Sequence, residues 1–178
     1  MLRSNAESLG VDPTRIGVKG ESAGGGLAAA LALWTRDRAG PSLAFQHLIY
    51  PMLDDRTCSR PDSNPFAGEF VWTRAQNKYG WSALLGKTPG SEDVSAFAAA
   101  GRAEHLEGLP PAFIGVGSLD LFVDENLAYA LRLIRAGVSV EMHVYPGGFH
   151  RFYEATNARI AQRAQRDSLD ALRRCMHP

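Results

Sequence analysis

Apolar and polar positions divide the chain into short apolar runs that alternate with longer stretches of helical periodicity. Four runs predict strands: the β-branched run that contains Ile16 and Val18, then Phe45–Tyr50, Ala112–Gly117 and Val138–Tyr145. The third run is almost continuously apolar, which is typical of a parallel strand buried on both faces. The fourth alternates apolar and polar residues, as a half-exposed edge strand does.

Helical periodicity, caps and stop signals predict five helices in the rest of the chain. The predicted helices span Leu2–Leu9, Ala23–Arg38, a segment capped by Thr73 and ending at Leu85, Asp124–Ala136, and Glu154–Cys175. In the last helix the residues expected to face the sheet are Ile160, Ala164, Leu169 and Leu172. Strand–helix–strand spacing predicts parallel pairing with right-handed crossovers. The pattern therefore predicts an α/β fold in a single domain, residues 1–178, with about four parallel strands and flanking helices.

The residues Gly20-Glu21-Ser22-Ala23-Gly24 form a G-x-S-x-G pattern between the first strand and the alanine-rich helix. A nucleophile elbow occupies such a strand-to-helix turn, with a strained serine whose hydroxyl projects from the sheet. Gly20 and Gly24 are predicted to let the strand and the helix approach closely. The N–H of Ala23 would face a bound acyl oxygen at the positive end of the helix. Ser22 is the candidate nucleophile and Ala23 the candidate oxyanion donor.

Two other interpretations of this turn remain open. Ser22 alone would be an ordinary N-cap of the following helix. Residues 24–29 also fit a loose G-x-G-x-x-A dinucleotide fingerprint, which requires its first glycine directly after a strand and an acid at the end of the next one. Gly24 lies four positions after Gly20 and Asp54 supplies the acid only imperfectly. The spacing therefore disfavours a nucleotide site.

An acyl-transfer serine needs a base to take its proton and an acid to orient that base. Such groups collect at the carboxyl ends of parallel strands, and Asp120 and His150 each follow a predicted strand. The order Ser22, Asp120, His150 is that of a Ser…Asp…His hydrolase triad. The rival acids are Asp54, Asp55 and Asp124.

His150 differs from the other histidines because it lies in a Gly-Gly-Phe-His loop. The others are predicted to lie inside strands (His47 and His143), in a helix-like segment (His105) and in the terminal tail (His177). A structural role is the simpler interpretation for each of those four.

An irregular segment follows the second strand, and residues 54–85 are a candidate acyl-pocket insertion. Its aromatic residues are Phe66, Phe70, Trp72, Tyr79 and Trp81. They are as consistent with ordinary core as with the wall of an acyl pocket. The candidate substrate-binding residues are Glu21, Phe66, Phe70 and Trp72.

Composition narrows the range of partners. The formal net charge is zero, so a nucleic-acid partner is not expected. No apolar run is long enough to span a bilayer and no hydrophobic leader is seen at the N-terminus. Cys58 and Cys175 fit neither a metal spacing nor a disulfide framework. These features predict a cytoplasmic location, and the predicted chemistry needs no metal or organic cofactor.

Three segments resemble the bacterial hormone-sensitive-lipase-like family of α/β-hydrolases: Gly20-Glu-Ser-Ala-Gly-Gly25, Asp120-Leu-Phe-Val-Asp-Glu125 and Phe149-His150. The resemblance implies a serine carboxylesterase or lipase that acts on small-molecule esters. It assigns the catalytic roles to Ser22, Asp120 and His150, and it implies the C-terminal portion of an α/β-hydrolase fold.

The sequence departs from that family at three places. Lys19 stands where a small residue is usual, and Arg151 replaces the small residue after the histidine and is expected to crowd the site. The upstream His-Gly-Gly motif, which builds most of the family's oxyanion hole, does not occur in this sequence. The chain is therefore expected to match the C-terminal half of such an enzyme or slightly more.

This correspondence predicts two consequences. The elbow strand would form an unprotected edge that is prone to pairing with another chain. Esterase activity would be strongly reduced, because the loss of one oxyanion donor costs about 10²–10³ in rate. The alternative is a catalytically impaired half-domain, either a truncated relic or a fragment completed by a partner chain.

Overall fold

A computed structural model describes residues 3–60 and 64–176. Its strands are β1 (Val18–Glu21), β2 (Gln46–Ile49), β3 (Ala112–Gly117) and β4 (Val140–Tyr145). Its helices are α1 (Ala6–Leu9), α2 (Ala23–Asp37), α3 (Arg74–Leu85), α4 (Val123–Arg135) and α5 (Arg159–Met176). Leu2, residues 61–63 of the candidate insertion and His177 lie outside the described residues.

The four strands form one parallel sheet in the order β1-β2-β3-β4. The predicted α/β class and the four parallel strands are therefore confirmed. Within the described residues β1 pairs with β2 alone, so the elbow strand is an edge of this sheet. The other edge is β4, which is partly exposed along most of its length, as its alternating sequence predicts.

Helices cover both faces of the sheet. One core cluster joins α2 and α4 to Leu48 and Ile114, and a second brings Ile49 and Phe113 together with Ala171 of α5. Adjacent residues in a strand point to opposite faces, so α5 covers the face opposite to α2 and α4. The carboxyl ends of the strands remain free to carry the loops that hold the candidate site.

Helix α3 begins where its capping signal predicts. The Thr73 side chain accepts a hydrogen bond from the Gln76 backbone N–H, and the Gln76 side chain accepts one from the Thr73 backbone. Gly86 ends the helix in the left-handed conformation. Such a reciprocal box satisfies backbone donors that would otherwise lack partners.

Helix α5 differs from the prediction in its start and in its buried face. It begins at Arg159 instead of Glu154, because a 3₁₀ turn occupies Phe152–Glu154 first. Leu169 is 52% exposed, which makes its predicted burial wrong. The buried positions are Ala161, Ala164, Ser168 and Ala171. Small residues let the helix lie close to the sheet, where the Ser168 hydroxyl reaches the His47 ring at 2.8 Å.

The predicted helical position of His105 is also wrong, because His105 lies in an irregular segment.

Candidate active site

Ser22 occupies a strained turn between β1 and α2. Its φ of 54° and ψ of −123° lie in a region that non-glycine residues rarely adopt. The backbone is held on both sides, because Ser22 N–H donates to Ile49 O at 2.9 Å and Ser22 O accepts from Met52 N–H at 2.9 Å. The side chain makes no capping hydrogen bond with α2. The strained geometry therefore supports the elbow interpretation and not the ordinary N-cap.

Close packing around the elbow depends on three glycines. A Cβ atom on Gly20 would overlap the carbonyl group of Gly24, as predicted. Gly24 itself faces open space, so its predicted role in close approach is wrong. That role belongs to Gly25 and Gly26, where a Cβ atom would meet Pro51 or the Met52 carbonyl. These glycines fit α2 against the segment after β2, which accounts for them without a bound nucleotide.

The structure brings Ser22, His150 and Asp120 together. Ser22 Oγ lies 2.9 Å from His150 Nε2, and His150 Nδ1 lies 2.9 Å from Asp120 Oδ2. Asp120 and His150 are 1% and 2% exposed. The second oxygen, Asp120 Oδ1, accepts the Phe122 N–H at 3.0 Å. The carboxylate can thus hold the Nδ1–H tautomer, which leaves Nε2 free to accept the serine proton.

The rival acids are engaged elsewhere. Asp54 pairs with Arg56 and Arg60 at 2.8 and 2.9 Å. Asp55 pairs with Arg102 at 2.6 Å. Asp124 is exposed at the start of α4. The position of Asp120 one hydrogen bond from His150 distinguishes it from all three.

The loops that carry the acid and the base are joined through their backbones. Leu119 N–H donates to Gly148 O at 2.8 Å, and Gly147 N–H donates to Ser118 Oγ at 2.9 Å. A Cβ atom on Gly117 would overlap the Gly148 carbonyl, so the loops meet only because residue 117 is glycine. The separation of Asp120 from His150 is therefore fixed by a main-chain hydrogen bond and by the Ser118 hydroxyl.

The two charged departures from the family pattern lie at the surface. The Arg151 guanidinium pairs with Glu154 at 2.7 Å and its side chain is 56% exposed, so the expected crowding of the site is not observed. Arg151 adopts a φ of 65°, a conformation that glycine favours. Lys19 pairs with Glu21 at 3.0 Å. Neither side chain enters the triad.

Aromatic rings enclose the His150 imidazole on several sides. The rings of Tyr50, Phe122 and Trp72 lie 4.9, 5.3 and 6.0 Å from it. Neither Tyr50 nor Phe122 was predicted from the sequence to lie beside His150. Their sequence positions could have indicated this placement, because Tyr50 directly follows β2 and Phe122 follows Asp120 by two residues.

An apolar cavity of about 160 Å³ adjoins the elbow. Its lining consists of Ala23, Gly26, Leu27, Met52, Trp72, Gly80, Trp81, Leu84 and Ala98. Ala23 is the first residue of α2, so its N–H has no acceptor within the helix. The cavity therefore places apolar volume beside both the Ser22 turn and a backbone donor that has no acceptor within the helix.

The candidate substrate-binding residues differ in their positions. Trp72 lines the cavity. Phe70 is 51% exposed and contacts the Phe149 ring at 6.0 Å, whereas Phe66 is 77% exposed. Glu21 accepts hydrogen bonds from Lys19 and from the Tyr50 hydroxyl, the latter at 3.2 Å. Only Trp72 among these four lies at the cavity in the described part of the chain.

Glu125 is buried, unlike its neighbour Asp124. Its carboxyl accepts hydrogen bonds from Leu53 N–H at 2.6 Å and Asp54 N–H at 3.3 Å, and it contacts the Thr57 hydroxyl. Burial raises its pKa to about 8, against the hydrogen bonds that it accepts. Glu125 lies in the first turn of α4, and its contacts show that it also holds the segment after β2.

The described residues contain no group of three or more potential metal ligands. In the same part of the chain, none of the helices combines the length and apolar character needed to cross a bilayer.

Comparisons with known proteins agree with this geometry. The family model of the alpha/beta hydrolase fold matches residues 1–154. Carboxylesterase NlhH of Mycobacterium tuberculosis is 37% identical over 97% of this chain and 54% of its own length. Ethyl acetate hydrolase of Pseudomonas putida is 32% identical over 85% of this chain and 47% of its own length.

Solved structures give the same result. A bacterial heroin esterase superposes with a TM-score of 0.91 at 40% identity, over 99% of this chain and 56% of its own chain. The chain thus spans about half the length of the relatives that it matches. The sequence match, the sheet and the triad geometry agree, and the chain belongs to the hormone-sensitive-lipase-like family of α/β-hydrolases.

Proposed function

We propose that this chain is a serine carboxylesterase or lipase-like hydrolase that cleaves carboxylic esters through an acyl-enzyme on Ser22. The observation that carries the proposal is the continuous hydrogen-bonded array of Ser22, His150 and Asp120, with both contacts at 2.9 Å. Relatives named as carboxylesterase and ethyl acetate hydrolase support the reaction class.

In the first half-reaction His150 Nε2 takes the Ser22 proton while Ser22 Oγ attacks the ester carbonyl. The oxyanion that forms accepts a hydrogen bond from the Ala23 N–H at the positive end of α2. The imidazolium then protonates the leaving alcohol. In the second half-reaction His150 activates water, which releases the acid and restores Ser22. Throughout, Asp120 remains ionised and orients the imidazole.

The proposed substrate is a small ester with a short apolar acyl or alcohol group. A cavity of about 160 Å³ lined by apolar side chains such as Trp72, Trp81 and Leu84 supports this size. Trp72 is the favoured substrate contact because it joins this cavity to the His150 ring. Glu21, Phe70 and Phe66 remain weaker candidates, since each is largely exposed.

For the 178-residue chain by itself we expect strongly reduced turnover. The backbone donor that the elbow supplies is Ala23 N–H, and the removal of one oxyanion donor costs about 10²–10³ in rate. The sequence holds no His-Gly-Gly motif that would supply others. Ester hydrolysis by this chain should therefore depend on Ser22 and yet be slow.

A second candidate function is a half-domain that works in association with another chain. It is favoured by β1, whose outer edge has no strand partner among the described residues, and by an apolar stripe on α2. The stripe consists of Leu27, Leu31 and Trp34, which are 61%, 44% and 45% exposed. Self-association through this edge is the form proposed. A reducing, cytoplasmic setting is part of the proposal and agrees with the free thiols of Cys58 and Cys175.

The experiment compares hydrolysis of p-nitrophenyl acetate and butyrate by the purified chain with that of Ser22→Ala. Asp120→Asn and Asp124→Asn form a matched pair, because each replaces one carboxylate by an amide. Asp120 lies in the loop between β3 and α4, and Asp124 lies in the first turn of α4. The proposal predicts background rates in the Ser22 and Asp120 variants and wild-type rates in Asp124→Asn. Equal rates in wild type and Ser22→Ala would refute the esterase. Analytical ultracentrifugation then tests the second candidate. Self-association predicts a sedimentation coefficient that rises with protein concentration, and a constant value for the monomer would refute it.

A further inference from the structure

Tyr50, directly after β2, has an unusual backbone conformation for a buried side chain. It is 1% exposed, and its φ of 35° is positive, as is common only for glycine. A bulky residue in this region is an outlier, and such strain persists only where the surroundings enforce it. The Tyr50 N–H donates to Gly115 O of β3 at 2.7 Å, which fixes the strained residue to the sheet.

The backbone on either side of Tyr50 holds the nucleophile. Ile49 O accepts the Ser22 N–H, and Met52 N–H donates to Ser22 O, each at 2.9 Å. Tyr50 therefore lies inside the segment that clamps the elbow. A change in its conformation would move both partners of the Ser22 backbone.

The Tyr50 side chain contacts the catalytic base. Its ring lies edge-on to the His150 imidazole, with centroids 4.9 Å apart and planes at 63°. The Tyr50 hydroxyl donates to Glu21 Oε2 at 3.2 Å, beside the nucleophile. Burial raises the pKa of this phenol, so it stays a neutral donor at working pH. Hydrogen bonds hold the Nδ1 and Nε2 edges of the imidazole, and aromatic rings pack around it.

We propose that Tyr50 is a positioning residue whose ring holds the His150 imidazole in the orientation that brings Nε2 to Ser22. The inference rests on the proposed function, because it assigns His150 as the base. Tyr50 takes no proton in the reaction and contacts no substrate. A rotation of the imidazole that displaces Nε2 by about 1 Å is enough to reduce turnover about 10²-fold.

The test uses three variants. Tyr50→Phe keeps the ring and removes the hydroxyl, and Tyr50→Leu removes the ring. Tyr129→Leu is the matched control, because Tyr129 is also 1% exposed but packs in the cluster between α2, α4 and the sheet. Turnover of p-nitrophenyl acetate is measured as kcat and KM, and thermal melting reports the stability of each variant.

A ring-positioning role predicts that kcat of Tyr50→Leu falls by about 10²-fold with KM nearly unchanged. Tyr50→Phe should keep kcat within about threefold, and Tyr129→Leu should do the same even with a similar loss of melting temperature. Wild-type kcat in Tyr50→Leu would overturn the proposal. So would an equal loss in Tyr129→Leu, which would indicate general destabilisation, or in Tyr50→Phe, which would assign the effect to the hydroxyl.

A second readout does not depend on turnover. The proton on His150 Nδ1, hydrogen-bonded to Asp120, is followed by proton NMR and identified by its loss in His150→Gln. The resonance should broaden or shift in Tyr50→Leu and stay in place in Tyr129→Leu. If wild type and Ser22→Ala hydrolyse the ester equally, the proposed function fails while this readout still decides the position of the imidazole. An unchanged resonance in Tyr50→Leu would overturn the inference.

Discussion

Replacing Glu125 by Gln tests how the segment after β2 is held against the start of α4. Glutamine keeps a carbonyl oxygen for the Leu53 and Asp54 N–H groups and gains an N–H₂ group that can donate to the Thr57 hydroxyl. The change removes only the ionisation of a buried carboxyl. Its effect should therefore depend on pH, whereas a packing defect would not.

The size of the pH-dependent change in unfolding free energy follows from the pKa of Glu125. Burial raises it from 4.5 to about 8, so the folded chain binds a proton that the unfolded chain has released between those values. Stability from this group is fully present below pH 4.5 and is lost as the pH rises to 8. About 3.5 pH units at about 1.4 kcal/mol each give about 5 kcal/mol, which is comparable to the whole stability of a small domain.

The assay is guanidinium unfolding followed by circular dichroism between pH 4 and pH 9. The difference in unfolding free energy between Glu125→Gln and wild type should grow in favour of the variant across that interval and level off above pH 8. Asp124→Asn is the matched control and should parallel wild type, because Asp124 is exposed. Parallel profiles for wild type and Glu125→Gln would refute the assignment of a buried, protonated carboxyl.

Further substitutions test the elbow, the sheet and α3. Gly20→Ala should abolish Ser22-dependent turnover and lower the melting temperature, because its Cβ overlaps the Gly24 carbonyl, whereas Gly24→Ala meets open space and should melt near wild type. Burial lowers the pKa of His47 from 6.5 to about 4. Stability should therefore fall as the pH drops through that interval, by about 3 kcal/mol, and His47→Gln should remove this dependence in unfolding titrations. Thr73→Ala should cost about 1 kcal/mol in unfolding free energy at neutral pH, because it removes the capping box of α3.

The sequence predicts the parts of the fold that local signals determine. Hydrophobic runs predict all four strands within a few residues of their bounds, and the Thr73 cap predicts the start of α3. The assignment of Asp120 and His150 follows from a general rule, since groups after parallel strands meet at one end of the sheet. The hydrogen bond between Asp120 and His150 is the contact that this rule leads one to expect.

The errors arise where tertiary contacts decide. Leu169 was expected in the core, yet α5 turns a face of small residues to the sheet, and from that face Ser168 contacts His47. Gly24 carries the motif but faces solvent, and the close contacts fall to Gly25 and Gly26. Glu125 does lie in the first turn of α4, but its contact with the backbone of Leu53 arises only from the fold. No local pattern encodes these long-range contacts.

If Ser22 forms an acyl-enzyme, the acyl group can be trapped on its side chain and located. The purified chain is mixed with p-nitrophenyl acetate, quenched in acid within seconds, and digested for mass spectrometry. One acetyl group should be found on the peptide containing Ser22, and this adduct should be missing in Ser22→Ala and strongly reduced in His150→Gln. Ester hydrolysis without any acetylation of Ser22, or acetylation that persists unchanged in His150→Gln, would contradict the proposed acyl-enzyme mechanism.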